Sequence, residues 1–140
     1  MTTRRESILA AMASALAATD GITIVYRSRA EAFGRDEAPA LIIEPAADRC
    51  QPITTCKLAW TMDVDVVVHT RGAVPDTLAD PIIASAHSLL MADRTIGGLA
   101  VDILPVSVDF QRDKADLLSL WMVNTYQVQY RTHQSNLETG

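Results

Sequence analysis

The sequence predicts an α+β fold, a two-layer sandwich in which a mostly antiparallel sheet carries two packed helices. Three observations predict it. A capped, apolar-striped segment opens the chain, a second striped segment lies past its middle, and the other apolar runs are β-branched or alternating and joined by short turns. With 140 residues, 49% of them apolar, the chain can bury one core but not two, so residues 1–140 are expected to form a single domain with a polar tail from about residue 132. Charged residues make up 21% and are interspersed rather than blocked, as in a folded chain.

Thr3 stands three residues before Glu6, the spacing in which a hydroxyl caps one orphan amide and a carboxylate reaches back to another. The first helix is therefore expected from about Arg4 to Ala18, with Ile8, Leu9, Met12 and Leu16 on one stripe and Asp20-Gly21 as the stop. Ile22 to Tyr26 and Ala40 to Glu44 read as strands separated by a charged connection, the second closed by Pro45. Residues 46–55 show no periodicity and are expected to be an exposed loop.

Leu58 to His69 alternates most clearly. Leu58, Trp60, Met62, Val64, Val66 and Val68 share one face; Ala59, Thr61, Asp63, Asp65, Val67 and His69 share a wet one. After Arg71-Gly72 a second helix begins at Asp76 or at Asp80-Pro81, with Ile82, Ile83, Ala86, Leu89 and Leu90 as its buried stripe. Gly97-Gly98 breaks the chain before a strand from Leu99 to Val108. Its alternation shifts phase at Leu104-Pro105, so it is bulged there or lies at an edge. A charged turn from Asp109 to Asp116 then leads to a long last strand, Leu118 to Arg131, with Leu118, Leu120, Met122, Tyr126, Val128 and Tyr130 on one side.

The formal charge of −5 argues against binding nucleic acid by neutralising phosphates, because the only basic cluster, Arg27, Arg29 and Arg35, is interrupted by Glu31 and followed by Asp36 and Glu37. No stretch approaches the roughly 18 apolar residues of a membrane span, and Arg4, Arg5 and Glu6 do not open a signal peptide, so a cytoplasmic location is expected. Cys50 and Cys56 fit neither a redox pair nor a zinc knuckle; they read as reduced thiols or as a local disulfide formed after lysis.

His69, Asp63 and Asp65 share a strand face, and residues two apart are about 7 Å apart, so a divalent cation could be held there; a solvated face or a subunit contact selects the same residues. His87 borders the second helix's stripe, where a hydrogen-bonded, half-buried imidazole is the ordinary outcome, and His133 falls in the polar tail. Asp109, Asp113 and Asp116 are loosely spaced beside Arg112 and Lys114, the pattern of a solvated loop rather than an acid/base pair. No nucleophile elbow, phosphate-cradling glycine loop or His-Glu-x-x-His occurs, so neither an enzyme nor a cofactor is expected. The strands are long for so small a sheet. Trp121 and Val123 lie opposite Leu120 and Met122 and need cover, either from a neighbouring subunit or from helices straddling the sheet.

Over nearly its full length the chain resembles the tail-terminator (minor tail protein U-like) family of tailed bacteriophages. The likeness is carried by the capped first helix, Ile24-Val25-Tyr26-Arg27 with its charged connection, Ala40-Leu41-Ile42-Ile43-Glu44-Pro45, and Val66-Val67-Val68-His69. It continues through Val74 to Pro81, the helix exit Leu90 to Leu99, and the closing Tyr126 to Thr132. The resemblance implies a structural virion protein, a homohexameric ring that caps the tail tube, stops tube polymerisation and joins the head. Its implied partners are further copies of itself, the major tail tube protein and the head connector or neck protein, with the protein ending in the virion at the tail's neck end. Another neck or tail-completion component is the alternative, and a small metal-dependent enzyme using Asp63, Asp65 and His69 a further one. The expected protein contacts are Arg27, Arg29, Phe33 and Arg35 in the first connection and Asp109, Gln111 and Arg112 in the later turn.

Overall fold

A hydroxyl sets the first boundary of the fold: the Thr3 side chain accepts a hydrogen bond from the Glu6 amide and starts helix α1, Arg4–Leu16. The computed structural model describes residues 2–22, 24–27, 39–112 and 118–139. Only half of the expected capping box forms, because the Glu6 carboxylate turns away to take both guanidinium nitrogens of Arg27 at 3.2 and 3.0 Å. That guanidinium holds the Glu6 carboxyl below its ordinary range. The helix stops two residues short of Ala18, since the amides of Ala18 and Thr19 bond to the carbonyls of Ala15 and Leu16 and tighten the last turn. Gly21 follows at φ +86°.

Strand β1, Ile24–Arg27, runs parallel to the start of β2, Ala40–Pro52. The second strand corrects the expectation that Pro45 ends it and that residues 46–55 form a loop. It continues to Pro52 with a bulge between Pro45 and Ala47. The proline is tolerated because β1 is paired as far as Ile43, so among the described residues Pro45 has no strand neighbour on that side to which an N–H would be owed.

Strand β3, Lys57–Arg71, pairs antiparallel with β2 on one side and with β5, Ser119–His133, on the other. Helix α2, Pro75–Met91, starts earlier than either expected signal. Pro75 takes the first turn, where its missing N–H is no loss, while Pro81 lies inside the helix on its exposed side. After α2, Gly97 and Gly98 adopt φ +67° and +84°, and the Asp93 carboxylate accepts from the amides of Thr95 and Gly97. Strand β4, Asp102–Arg112, is both of the things its sequence allowed, an edge strand and a bulged one, with the irregularity between Pro105 and Ser107.

The sheet order is β1-β2-β3-β5-β4. Both helices pack on one face. Ile8, Leu9, Met12 and Leu16 of α1 and Ala79, Ile82, Ala86 and Leu90 of α2 meet Leu41, Ile43, Met62, Val64, Val66, Val68, Tyr126 and Val128 in one core. The helices therefore do not straddle the sheet, and Trp121 lies on the face away from them, half-buried, its ring stacked at 4.0 Å on His69.

At the far end of the sheet, polar groups fasten α1 to the strands. Arg5 Nε donates to Asp48 Oδ2 at 2.6 Å, and the Tyr130 hydroxyl donates to the same oxygen. Trp60 stacks on Tyr130 and donates its indole N–H to Thr132 at 2.9 Å, with the Arg5 guanidinium 5.4 Å from its ring centroid. The tail folds back over this end, where the Leu137 carbonyl accepts from the Arg4 amide at 2.7 Å. That bond satisfies one of the orphan donors of the first turn.

Candidate interaction surface

Strand count and helix width together leave one strand bare. Two helices, each about 10 Å across, cover roughly four strands spaced at about 4.8 Å. Helix α1 lies against β1 and β2, and α2 against β3 and β5, so among the described residues no helix packs squarely on β4. Its apolar side chains stand open: Leu104, Val106, Val108 and Phe110 are 42%, 57%, 51% and 56% exposed. The register puts Val108 and Phe110 on the helix face, opposite Asn124 and Met122, and Leu104 on the other face, opposite Gln127, while Val106 sits in the bulge. Away from the helices Leu104 stands among Asp102, Ser107, Asp109 and Gln111, so it is the helix-side face of β4 that is apolar and exposed, on an edge where charge is the usual guard.

Between β4 and α2 lies a groove of about 360 Å³, walled by Ile83, Ala84, His87, Pro105, Val108 and Tyr126. His87 Nδ1 and the Tyr126 hydroxyl are 2.8 Å apart and share a hydrogen bond, as expected for a half-buried histidine at a helix border. Asn124 beneath them donates to the carbonyls of Val66 and Met122, which locks the groove's floor. Burial pushes the Tyr126 hydroxyl up to about 12, and burial, reinforced by Asp48, pushes Tyr130 up as well.

An unfolded tyrosine ionises near 10, so between pH 10 and 12 the unfolded chain loses protons that the folded chain keeps. The stability contributed by these neutral hydroxyls is complete below about pH 10 and lost as pH rises through the folded value. Urea midpoints measured at pH 9 and pH 11 are expected to fall for the natural chain, and the fall is expected to shrink in Tyr126→Phe. An equal fall in both would contradict this account.

Charge is confined to the rim of the bare strand. At one end Arg94 grips Asp102 through two bonds of 2.7 Å and holds its carboxyl below the usual range. Toward the other end Gln111 donates to Asp109 at 3.1 Å. Between them, Ile103 to Val108 carry no charge. Asp109, Gln111 and Arg112, expected in a turn, are instead the last residues of β4: the apolar alternation continues through Phe110, and the strand stays paired with β5 as far as Arg112 opposite Leu120.

Arg27 stands at the opposite edge of the sheet, tied to Glu6; Arg29, Phe33 and Arg35 lie outside the described residues, as do Asp113 and Asp116. Arg27 is thus separated from Asp109, Gln111 and Arg112 across the five-stranded sheet, about 19 Å from edge to edge. Leu104, Val106, Val108 and Phe110 were not among the residues singled out. Their signal was the uncharged run through the phase shift at Pro105.

The Asp63, Asp65 and His69 set is dispersed among other partners. Arg49 takes both Asp63 oxygens at 3.1 and 3.3 Å and lowers its pKa, and Thr125 donates to Asp65 at 2.7 Å. His69 is 3% exposed rather than wet, because its cross-strand neighbour Trp121 lies over it and its Nδ1 faces the Leu120 carbonyl at 3.3 Å. Among the described residues no group of three or more His, Cys, Asp or Glu side chains is placed to hold a metal ion. Cys50 and Cys56 are both exposed free thiols. Among the described residues no helix is long and apolar enough to cross a membrane.

Fold and surface together give an α+β chain with an open apolar sheet edge beside a groove. No family model matches the chain, and no curated protein matches it.

Proposed function

We propose that the chain is a structural virion subunit that assembles into a ring on the end of a phage tail tube, terminates tube polymerisation and offers the surface to which the head is joined. The observation that carries this reading is the inequality of the two sheet edges: β4 is apolar and uncovered, while the opposite edge is the short β1 beside a proline-bounded stretch of β2. Contacts between unlike surfaces on opposite sides of a subunit propagate head to tail and close into rings when the rotation allows. The nearly full-length resemblance to tail terminators supplies the identity of the ring and of its partners, the tube protein and the head connector or neck protein.

Negative-stain microscopy of the purified protein, alone at high concentration and mixed with tail tubes, tests the reading. Six-fold rings and tubes capped at one end are expected. A protein that stays monomeric and leaves tubes uncapped removes the proposal.

A further inference from the structure

The open edge also indicates what covers it. We infer that β4 and the groove beside α2 receive a second copy of this chain, and that the segment docking there is the free edge of that copy's β2, from Ala46 to Gln51. The inference rests on the assembly reading above and names the two faces that the assembly uses.

Four observations carry it. First, β1 pairs only with Ala40 to Ile43, so among the described residues Glu44 to Pro52 has no strand on its outer side, and β4 has none on its own. One molecule therefore offers two strand edges, on opposite sides of its sheet, each with main-chain donors and acceptors to share. Second, proline limits both in the same way. Pro45 and Pro52 bracket the β2 segment and Pro105 precedes the β4 segment, leaving Ala46–Gln51 and, past the bulge at Val106, Ser107–Arg112 as donor-complete stretches of six residues each.

Third, charge favours self-association. A chain of net charge −5 repels its own copies except where a contact is neutral or complementary. The centre of β4 is uncharged, and its exposed Asp109 lies on the sheet face away from the helices, the same face that presents Arg49 of β2, half-exposed although its guanidinium also holds Asp63. Extending one sheet into the next brings these two side chains to one surface. Fourth, size is sufficient. An 11-residue strand runs about 36 Å. The six docking residues pair along about 20 Å of it, and the remaining strand and the groove of about 360 Å³ add contact surface toward the roughly 800 Å² per partner of stable association.

The test has two arms. In the first, the natural chain, Val108→Asp and Phe110→Asp are compared by light scattering after gel filtration and by microscopy, with and without tail tubes. Both positions are more than half exposed, so the variants are expected to keep the natural circular dichroism and melting temperature. The expected result is assembly of the natural chain and at least a tenfold weakening of it in each variant. Rings that persist in both variants overturn the inference and leave the ring reading intact. Assembly that is lost in the variants but is not six-fold supports the β4 face and removes the ring reading. A natural chain that is monomeric alone and binds tubes without forming rings, with that binding abolished in the variants, assigns β4 to the tube protein and overturns the second copy as occupant. A natural chain that neither associates nor caps tubes overturns both.

The second arm reads the other face. In a Cys56→Ser background, Val108→Cys and Phe110→Cys are oxidised separately, with the native Cys50 of β2 as the only other thiol. A disulfide-linked ladder from at least one of them, abolished by adding Cys50→Ser, is expected. No ladder from either, or one that survives Cys50→Ser, overturns β2 as the docking segment.

Discussion

Met12→Ala is expected to lower the free energy of unfolding by about 3 kcal/mol, which in a domain of this size moves the melting temperature by roughly 10 °C. Met12 has no exposed surface and is one of the four buried side chains through which α1 enters the core, with Ile8, Leu9 and Leu16. It also borders a crevice of about 370 Å³ walled by Ala11, Ala15, Leu89, Leu90, Ile96 and Leu99. Truncation removes the transfer energy of the side chain and enlarges a space that already exists. Neighbours fixed in α2 and in the loop after it cannot collapse into that space, which places the cost in the middle of the usual range for losing a buried methionine rather than at its lower end. Urea unfolding followed by circular dichroism measures it; a loss below 1 kcal/mol would show that α1 adds little to the core.

Asp48→Ala is expected to cost about 2–3 kcal/mol, well above the roughly 1 kcal/mol expected of Tyr130→Phe. The asymmetry follows from what each change leaves behind. Removing the hydroxyl leaves a carboxylate still bonded to Arg5; removing the carboxylate strands the buried Tyr130 hydroxyl and the Arg5 Nε–H together. Asp48 also raises the pKa of Arg5 through this hydrogen bond, stabilising the charged guanidinium. A double-mutant cycle between the two positions is expected to return a coupling of about 1 kcal/mol, since both changes break one shared bond. Equal costs for the two single variants would contradict this account.

Local chemistry was legible at particular residues. Thr3 and Glu6 marked the start of α1, Gly21 its exit, and the alternation from Leu58 onward gave β3 its face, because each of these signals depends only on neighbours in sequence. Proline was read less well. Pro45 looked like a strand end and Pro81 like a helix start, and both lie inside their elements, one where no described strand stands on its outer side and one on a helix's exposed side. Whether a missing N–H matters depends on what stands beside it, and sequence does not record that. His69 shows the same limit: its place among polar neighbours predicted a wet face, and Trp121, brought in from 52 positions away in the chain, buried it.

The sequence by itself determined the class of fold, the composition of the core stripe and the uncharged run that became β4, since periodicity and composition act within a few residues. Tertiary structure decided which strand lay at the edge, that both helices chose one face, and that two helices fell one strand short of covering it. Those outcomes turn on strand order and on the widths of packed elements. They made a phase shift at Pro105 into an open apolar edge.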